Sequence, residues 1–444
     1  MISIKKQNGI HQYLGIFCLA ILAILIRVIT FVAFGSSTPF GYDTGFYRRY
    51  LVEPIHFFQN VPGLGPNSIF VKIILDILKT THMSANMILY GSLVLLGGAI
   101  TLAIYFLVKK YSNNATALWA GFLFAISPIQ YFTYWCMLYK NAWGLLLLVI
   151  AMILIHKRSQ WIYVCAILLA CTHETTAIMF LLSLVTFWII NKERRLEIFK
   201  IIVITAVTLG LTQTKGASDV LVHLPQASFN SWFQYIVFSF PLIIAAIIGT
   251  KTWWQSSKKS FLTAFLITTI AYPILHLPFY QRIFVYTDIS IIILGAYGLA
   301  VLFDEKKKIN HILGILLIAG AVCILANRIY KLQPVMYDDN IRNLEQIDGA
   351  TPTDSYILTT SNLAPWVEGW SHRHVIAPGM LIDTHNNNEW IKFWAASDAD
   401  KVRFLNDFPK PLYFFIPENE RKLFIPTSCG TRIGSTAIIK YTCN

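Results

Sequence analysis

Charge is scarce in this chain of 444 residues. Lys, Arg, Asp and Glu together make 13% of it against 55% hydrophobic residues, and mean hydropathy is +0.55. That shortage excludes an ordinary soluble globular protein. Acidic residues are the scarcer sign, 23 against 36 Lys and Arg, yet no nucleic-acid-reading motif accompanies the basic excess, so a nucleic-acid partner is not expected. Only seven cysteines occur and no C-x-x-C pair, which removes the usual zinc signature. No internal repeat suggests the paired halves of a secondary transporter. The first apolar stretch lacks a small-residue cleavage site and is longer than a signal-peptide core, so it reads as a retained anchor.

Long hydrophobic runs are what the chain has in plenty. A helix crosses roughly 30 Å of hydrocarbon with about 17 to 25 apolar residues. Runs of this kind lie near 13–34, 86–108, 115–131, 139–155, 160–172, 175–190, 198–213, 230–250, 260–277, 283–303 and 309–328. The expected fold class is an α-helical polytopic membrane protein of about eleven transmembrane helices. Lys5-Lys6, Lys109-Lys110, Lys157-Arg158, Lys192 with Arg194-Arg195, Lys258-Lys259 and Lys306-Lys307-Lys308 fall on every second connection. Cytoplasmic loops keep such residues, which puts the N-terminus inside and everything after about residue 330 outside, in a multi-pass cell-membrane protein. Much of the net +13 is thereby a topology signal.

The connections differ sharply in size. Residues 1–330 read as a transmembrane domain with a long first outer loop, 35–85, and residues 331–444 as a small exported α/β domain. In the loop, Lys72, Asp76 and Lys79 lie on one side of an apolar helix near 67–80, the pattern of an amphipathic helix in the membrane interface. In the tail, Tyr356–Thr359, Leu412–Ile416 and Ala437–Tyr441 have strand character. Cys429 and Cys443 are the only cysteines there, and an oxidising face would join them. Cys18, Cys136, Cys165, Cys171 and Cys323 lie in or beside apolar runs, as small packing residues.

Four polar clusters fall on the outer side. The first is Gly41-Tyr42-Asp43-Thr44-Gly45-Phe46-Tyr47-Arg48-Arg49-Tyr50. Asp43 there is either a helix cap paired with Arg48, or a general base or cation ligand beside planar guanidinium forks suited to phosphate. The second is Thr172-His173-Glu174-Thr175-Thr176 at the mouth of a hairpin, a structural histidine or a functional pair. The third, His276 to Tyr286, contains Gln281-Arg282-Ile283-Phe284-Val285-Tyr286. Arg282 at that helix start either holds an anionic head group or snorkels among interfacial aromatics. The fourth is Met137-Leu138-Tyr139-Lys140-Asn141-Ala142-Trp143-Gly144. Arg27 is nearly the only charge read deep inside an apolar run. Arginines, an acid and an amphipathic aromatic wall on one membrane face suit the handling of a lipid-linked phosphate.

On these clusters, the outer-loop acid, the interfacial helix and the terminal exported domain, the chain resembles the GT-C class of integral membrane glycosyltransferases, which includes oligosaccharyltransferase catalytic subunits and protein mannosyltransferases. The resemblance implies transfer of a sugar from a polyprenyl-phosphate or pyrophosphate donor to a glycan, lipid or protein acceptor. It implies that Asp43 is catalytic and that Arg282 clamps the lipid phosphate, with Tyr47, Arg48, Lys140, His173 and Tyr286 around the substrate. A divalent cation, magnesium or manganese, held by Asp43 and Glu174 would replace or supplement the arginines. Two departures keep peptide acceptors and metal dependence open. Asp43 has no adjacent second acid, and the Trp-Trp-Asp acceptor motif of the oligosaccharyltransferases is absent, with Trp366-Val367-Glu368 only a faint echo of it. A polysaccharide polymerase or ligase, and a lipid or solute transporter, are the alternatives.

Overall fold

The computed structural model describes residues 2–34, 41–55, 59, 64–65, 68–212, 231–257, 260–304, 307–381, 385–434 and 436–443, with the side chains of 2–12, 34, 256–257 and 338 outside the description. Lys258-Lys259, Lys306, and the parts of the 35–85 loop at 35–40, 56–58, 60–63 and 66–67 lie outside the described residues.

Fourteen helices precede the tail among the described residues. They are α1 Ile2–Phe34, α2 Thr44–Val52, α3 Ile69–Lys79, α4 Ala85–Tyr111, α5 Asn114–Ile126, α6 Pro128–Trp135, α7 Tyr139–Lys157, α8 Trp161–Ala170, α9 Glu174–Ile190, α10 Arg195–Thr212, α11 Trp232–Ser257, α12 Phe261–Ile274, α13 Tyr280–Asp304 and α14 Lys308–Lys331. Among the described residues each apolar run is carried by helix over most of its length. Six of these helices, within α1, α4, α7, α11, α13 and α14, are long and apolar enough to cross a membrane unaided. The pair α5 and α6 makes a seventh span if its 46° bend is part of one crossing. The bend has a local cause: Ser127 leaves the helical conformation, its hydroxyl accepts from the Gln130 amide, and Pro128 starts the next helix. The helices α8, α9 and α12 are apolar but shorter, and α10 opens on Arg195, Glu197 and Lys200.

Glycine sets the closest crossing in the bundle. A Cβ on Gly249 of α11 would stand 2.0 Å from the Leu294 carbonyl oxygen of α13, and one on Gly298 of α13 would stand 1.9 Å from that of Ala245. Small residues let membrane helices approach this closely where lipid supplies no hydrophobic drive. Helix α13 is buried along most of its length, whereas α14 turns Ile309, Ile312, Ile315 and Leu316 outward.

The loop helix α3 forms as its periodicity implies, but its polar stripe faces protein. Lys72, 1% exposed, donates to the Gln59 carbonyl; Asp76 accepts from the Tyr50 hydroxyl at 2.8 Å; Lys79 lies 4.2 Å over the Tyr50 ring. Ile73 and Ile77 are the exposed residues. The helix therefore holds α2 on its polar side and offers isoleucines to the surroundings.

The tail carries α15 Asp338–Ala350, α16 Ala364–Trp370, α17 Asn387–Ala395, α18 Asp398–Asn406 and a six-stranded sheet. Its strands are β1 Tyr356–Thr359, β2 His374–Ala377, β3 Met380–Leu381, β4 Leu412–Phe415, β5 Gly430–Arg432 and β6 Ile439–Tyr441, in the order β3-β2-β1-β4-β6-β5. Strand β1 runs parallel to β2 and β4, and the outer pairs are antiparallel. Fully apolar β4 separates two packed clusters, one around Trp366 and the other around Trp390. Cys429 and Cys443 are joined by a disulfide.

Candidate active site

Helix α2 brings Asp43 to its place. Asp43 stands just before the helix, but its side chain does not cap it. The backbone amide of Asp43 donates to the Cys136 carbonyl at 3.2 Å, and the Thr44 hydroxyl closes the turn onto the Gly41 carbonyl at 2.8 Å. A Cβ on Gly41 would sit 2.3 Å from that of Met137, so only glycine lets this turn approach the α6–α7 connection. Among the described residues the Asp43 carboxylate makes no hydrogen bond or ion pair. Burial pushes it up to about 6, against the opposing pull of the Lys140 and Arg282 charges.

Tyr47, one turn along α2, is buried. Its hydroxyl accepts from the Lys140 amide at 3.2 Å and its ring packs against Tyr139. Burial, and then the Asp43 charge, push this phenol well above its ordinary value. Lys140 reaches back to the Leu64 carbonyl at 3.1 Å and lies within electrostatic reach of Asp43, Glu174 and Arg282. Arg282, in the first turn of α13, is half-buried, and among the described residues its guanidinium makes no hydrogen bond or ion pair.

His173 precedes α9 with its Nδ1 2.8 Å from the Thr176 hydroxyl. Burial first, then the Lys140 charge, push its imidazole down, which leaves it neutral at physiological pH. The Thr176 hydroxyl is 2.6 Å from that of Tyr286, which donates to Asn141 Oδ1 at 3.3 Å. One polar line thus ties α9, α13 and α7 together behind Lys140. Four distant segments, carrying Asp43, Lys140, His173-Glu174 and Arg282, meet at one place.

Two residues read as substrate-facing are spent elsewhere. Arg48 donates to the Gly369 carbonyl at 2.6 Å and lies 4.2 Å over the Trp370 ring, because α2 is covered by α16 on that side. Tyr286 is wholly buried with its hydroxyl engaged in the line above. The Trp366-Val367-Glu368 motif is likewise internal: Trp366 and Val367 are fully buried, and Glu368, 2% exposed, is ion-paired with Arg49.

Asp43 and Glu174, the expected cation ligands, are both near Lys140. Among the described residues no group of three or more His, Cys, Asp or Glu side chains is placed to hold an ion. The Lys140 charge interacts with both carboxylates and places a built-in cation beside them; two carboxylates with water and substrate phosphate oxygens would also complete a magnesium or manganese shell.

Sequence reading missed Asp288, which makes Arg27 one of two deep charges. Asp288 is fully buried in α13 and accepts from Ser127 Oγ at 2.7 Å and Gln130 Nε2 at 3.0 Å, both beside the α5–α6 bend. The Ser-Pro step was the available signal: a broken helix exposes polar groups that a neighbour must satisfy.

No protein-family model matches the chain, and no curated protein matches it in sequence. Its fold is similar to solved structures. Against the apo oligosaccharyltransferase of Archaeoglobus fulgidus the TM-score is 0.66 at 12% identity, over 92% of this chain and 70% of that one. Against the same enzyme in complex with an inhibitory peptide and a dolichol-phosphate it is 0.61 at 12% identity, again over 92% and 70%. Against a mycobacterial arabinofuranosyltransferase it is 0.54 at 12% identity, over 89% of this chain and 36% of that one. The chain has the fold of the GT-C glycosyltransferases.

Proposed function

We propose that this protein is a membrane glycosyltransferase that moves a sugar from a polyprenyl-phosphate or pyrophosphate donor to an acceptor hydroxyl at the outer face of a cell membrane. The observation that carries the reading is the meeting of an unpartnered, half-buried carboxylate, Asp43, with Lys140 and Arg282 from two other helices. The GT-C fold supports it.

Asp43 takes the proton of the acceptor hydroxyl as its oxygen bonds to the anomeric carbon. The carbon–oxygen bond to the carrier breaks, and its electron pair stays on the phosphate. Arg282, a forked donor with no acceptor among the described residues, receives that phosphate, and Lys140 adds a second positive charge. A carboxyl at about 6 is largely ionised near neutral pH and is a better base than a solvated aspartate. His173, neutral and held by Thr176, orients the Glu174 end of the site.

Sidedness in this reading rests on the alternation of basic connections. The Cys429–Cys443 disulfide fits an oxidising compartment for the tail.

The test is reconstitution of purified protein with a panel of polyprenyl-phosphate and polyprenyl-pyrophosphate sugars, scored by release of the free carrier. Sugar-dependent release that disappears in Asp43→Asn is expected. Undiminished release in that variant would overturn the assignment of Asp43, and no release with any donor would overturn the reading.

A further inference from the structure

A second polar concavity lies in the tail, at a place where open α/β sheets characteristically bind ligands. Strand β1 is flanked by parallel neighbours, β2 on one side and β4 on the other. The chain leaves β1 first toward β2 and later places β4 on the opposite edge. That reversal opens a crevice beyond the carboxyl ends of the strands. A pocket of about 260 Å³ occupies this position, lined by residues that follow β1 (Thr360, Ser361, Asn362), by Glu420 after β4, and by Trp394, Leu423 and Phe424.

The chemistry of the lining is specific. Among the described residues the side chains of Thr360, Asn362 and Glu420 make no hydrogen bond, and the buried Trp394 indole N–H has no partner. A hydroxyl, an amide and a carboxylate offer both donors and acceptors, while Trp394, Leu423 and Phe424 offer an apolar wall. Among the described residues no Lys, Arg or His lines the pocket, and Glu420 disfavours an anion. A polyol ring with one apolar face matches this set; a phosphate does not.

The pocket is also tied to the reaction centre. The Tyr42 hydroxyl donates to the Ser361 carbonyl at 2.8 Å and lies 3.2 Å from Met380 Sδ. Tyr42 is the neighbour of Asp43, and Ser361 is among the pocket residues that follow β1. The loop that lines the pocket and the turn that carries Asp43 are thus in direct contact.

We infer that this pocket binds a neutral saccharide, the non-reacting part of a glycan acceptor. The inference rests on the glycosyltransferase reading for its place in catalysis, but the binding itself is measurable without turnover. The experiment is saturation-transfer difference NMR on the full-length protein in lipid nanodiscs. The probes are mannobiose, galactobiose, arabinobiose, chitobiose and a peptide containing Asn-Gly-Thr. At least one disaccharide is expected to receive saturation. Its affinity is expected to fall about tenfold in Asn362→Ala/Glu420→Gln, as neutral and charged hydrogen bonds are removed together. Leu423→Trp, at an exposed rim position that tolerates bulk, is expected to give a similar loss. Absence of any disaccharide signal, unchanged affinity in both variants, or a signal from the peptide alone would overturn the inference. Disaccharide binding without any sugar transfer would instead remove the proposed function and leave the pocket as a carbohydrate site.

Discussion

Arg49 and Glu368, 319 positions apart in sequence, form an ion pair that fastens the helix after Asp43 to the tail. Glu368 is 2% exposed, and Arg49 also holds Glu53, whose carboxylate contacts His372 at 3.1 Å. Removing one member of a buried pair strands the other charge and costs on the order of 3 kcal/mol. Arg49→Met is therefore expected to lower the thermal midpoint of the purified protein and to impair sugar transfer together. Adding Glu368→Met should recover part of the stability, because no lone charge then remains buried. Equal midpoints for wild type and Arg49→Met would mean that the pair is not a fastening.

The same helix contact depends on two glycines. A Cβ on Gly45 would stand 1.6 Å from the Pro365 carbonyl oxygen, and one on Gly369 would stand 2.4 Å from the Gly45 Cα. Backbone cannot yield to such an overlap without separating α2 from α16. Gly45→Ala and Gly369→Ala are each expected to be among the most destabilising single-methyl changes in the chain, about 2 kcal/mol or more. Gly91→Ala in α4, where nothing lies within 4 Å, is expected to be neutral or slightly stabilising. Limited proteolysis between the membrane helices and the tail would report the difference.

Asp43 sets a pH dependence whose sign follows from burial. Its folded pKa, about 6, lies above the ordinary value of 3.8. The neutral form is thus favoured on folding, so the group's stabilising contribution is full below the ordinary value and is lost as pH rises through about 6. Catalysis needs the opposite, the ionised form. Transfer is expected to fall on the acid side with a midpoint near pH 6, while the protein grows no less stable over that range on account of Asp43. Asp43→Asn is expected to abolish transfer and to stabilise the fold by about 2 kcal/mol or less, given the residue's partial exposure, which a raised thermal midpoint would report. An acid limb near pH 4 or a destabilised Asp43→Asn would contradict this.

How these residues could be read from sequence follows from their physics. Apolar length and loop charge are local, one-dimensional signals, enough to locate the helices and to lead to the expectation that Asp43, Lys140, Glu174 and Arg282 share a side. Orientation within a crowded surface is not local. Arg48 and Arg49 are adjacent arginines, yet one stacks on Trp370 and the other meets Glu368 because α16 arrives from the far end of the chain. Lys72 read as solvent-facing for a similar reason: nothing in its helix announces that the Gln59 carbonyl will meet it. Asp288 was hidden by the hydrophobic run around it, and only the Ser127–Pro128 break hinted that a buried acceptor was needed there.

Whether the site needs a divalent cation turns on Lys140. Its ammonium lies within reach of Asp43 and Glu174 and supplies a fixed positive charge beside the place assigned to the leaving phosphate. A resident ion would have to displace it and would still find only two carboxylates. Sugar transfer is therefore expected to survive exhaustive chelation, and Lys140→Met is expected to lose at least tenfold in turnover without rescue by added manganese, since a methionine removes the charge but keeps the length. Chelation that abolishes transfer, with recovery on adding manganese or magnesium, would instead make Asp43 and Glu174 ligands and leave the lysine as their organiser.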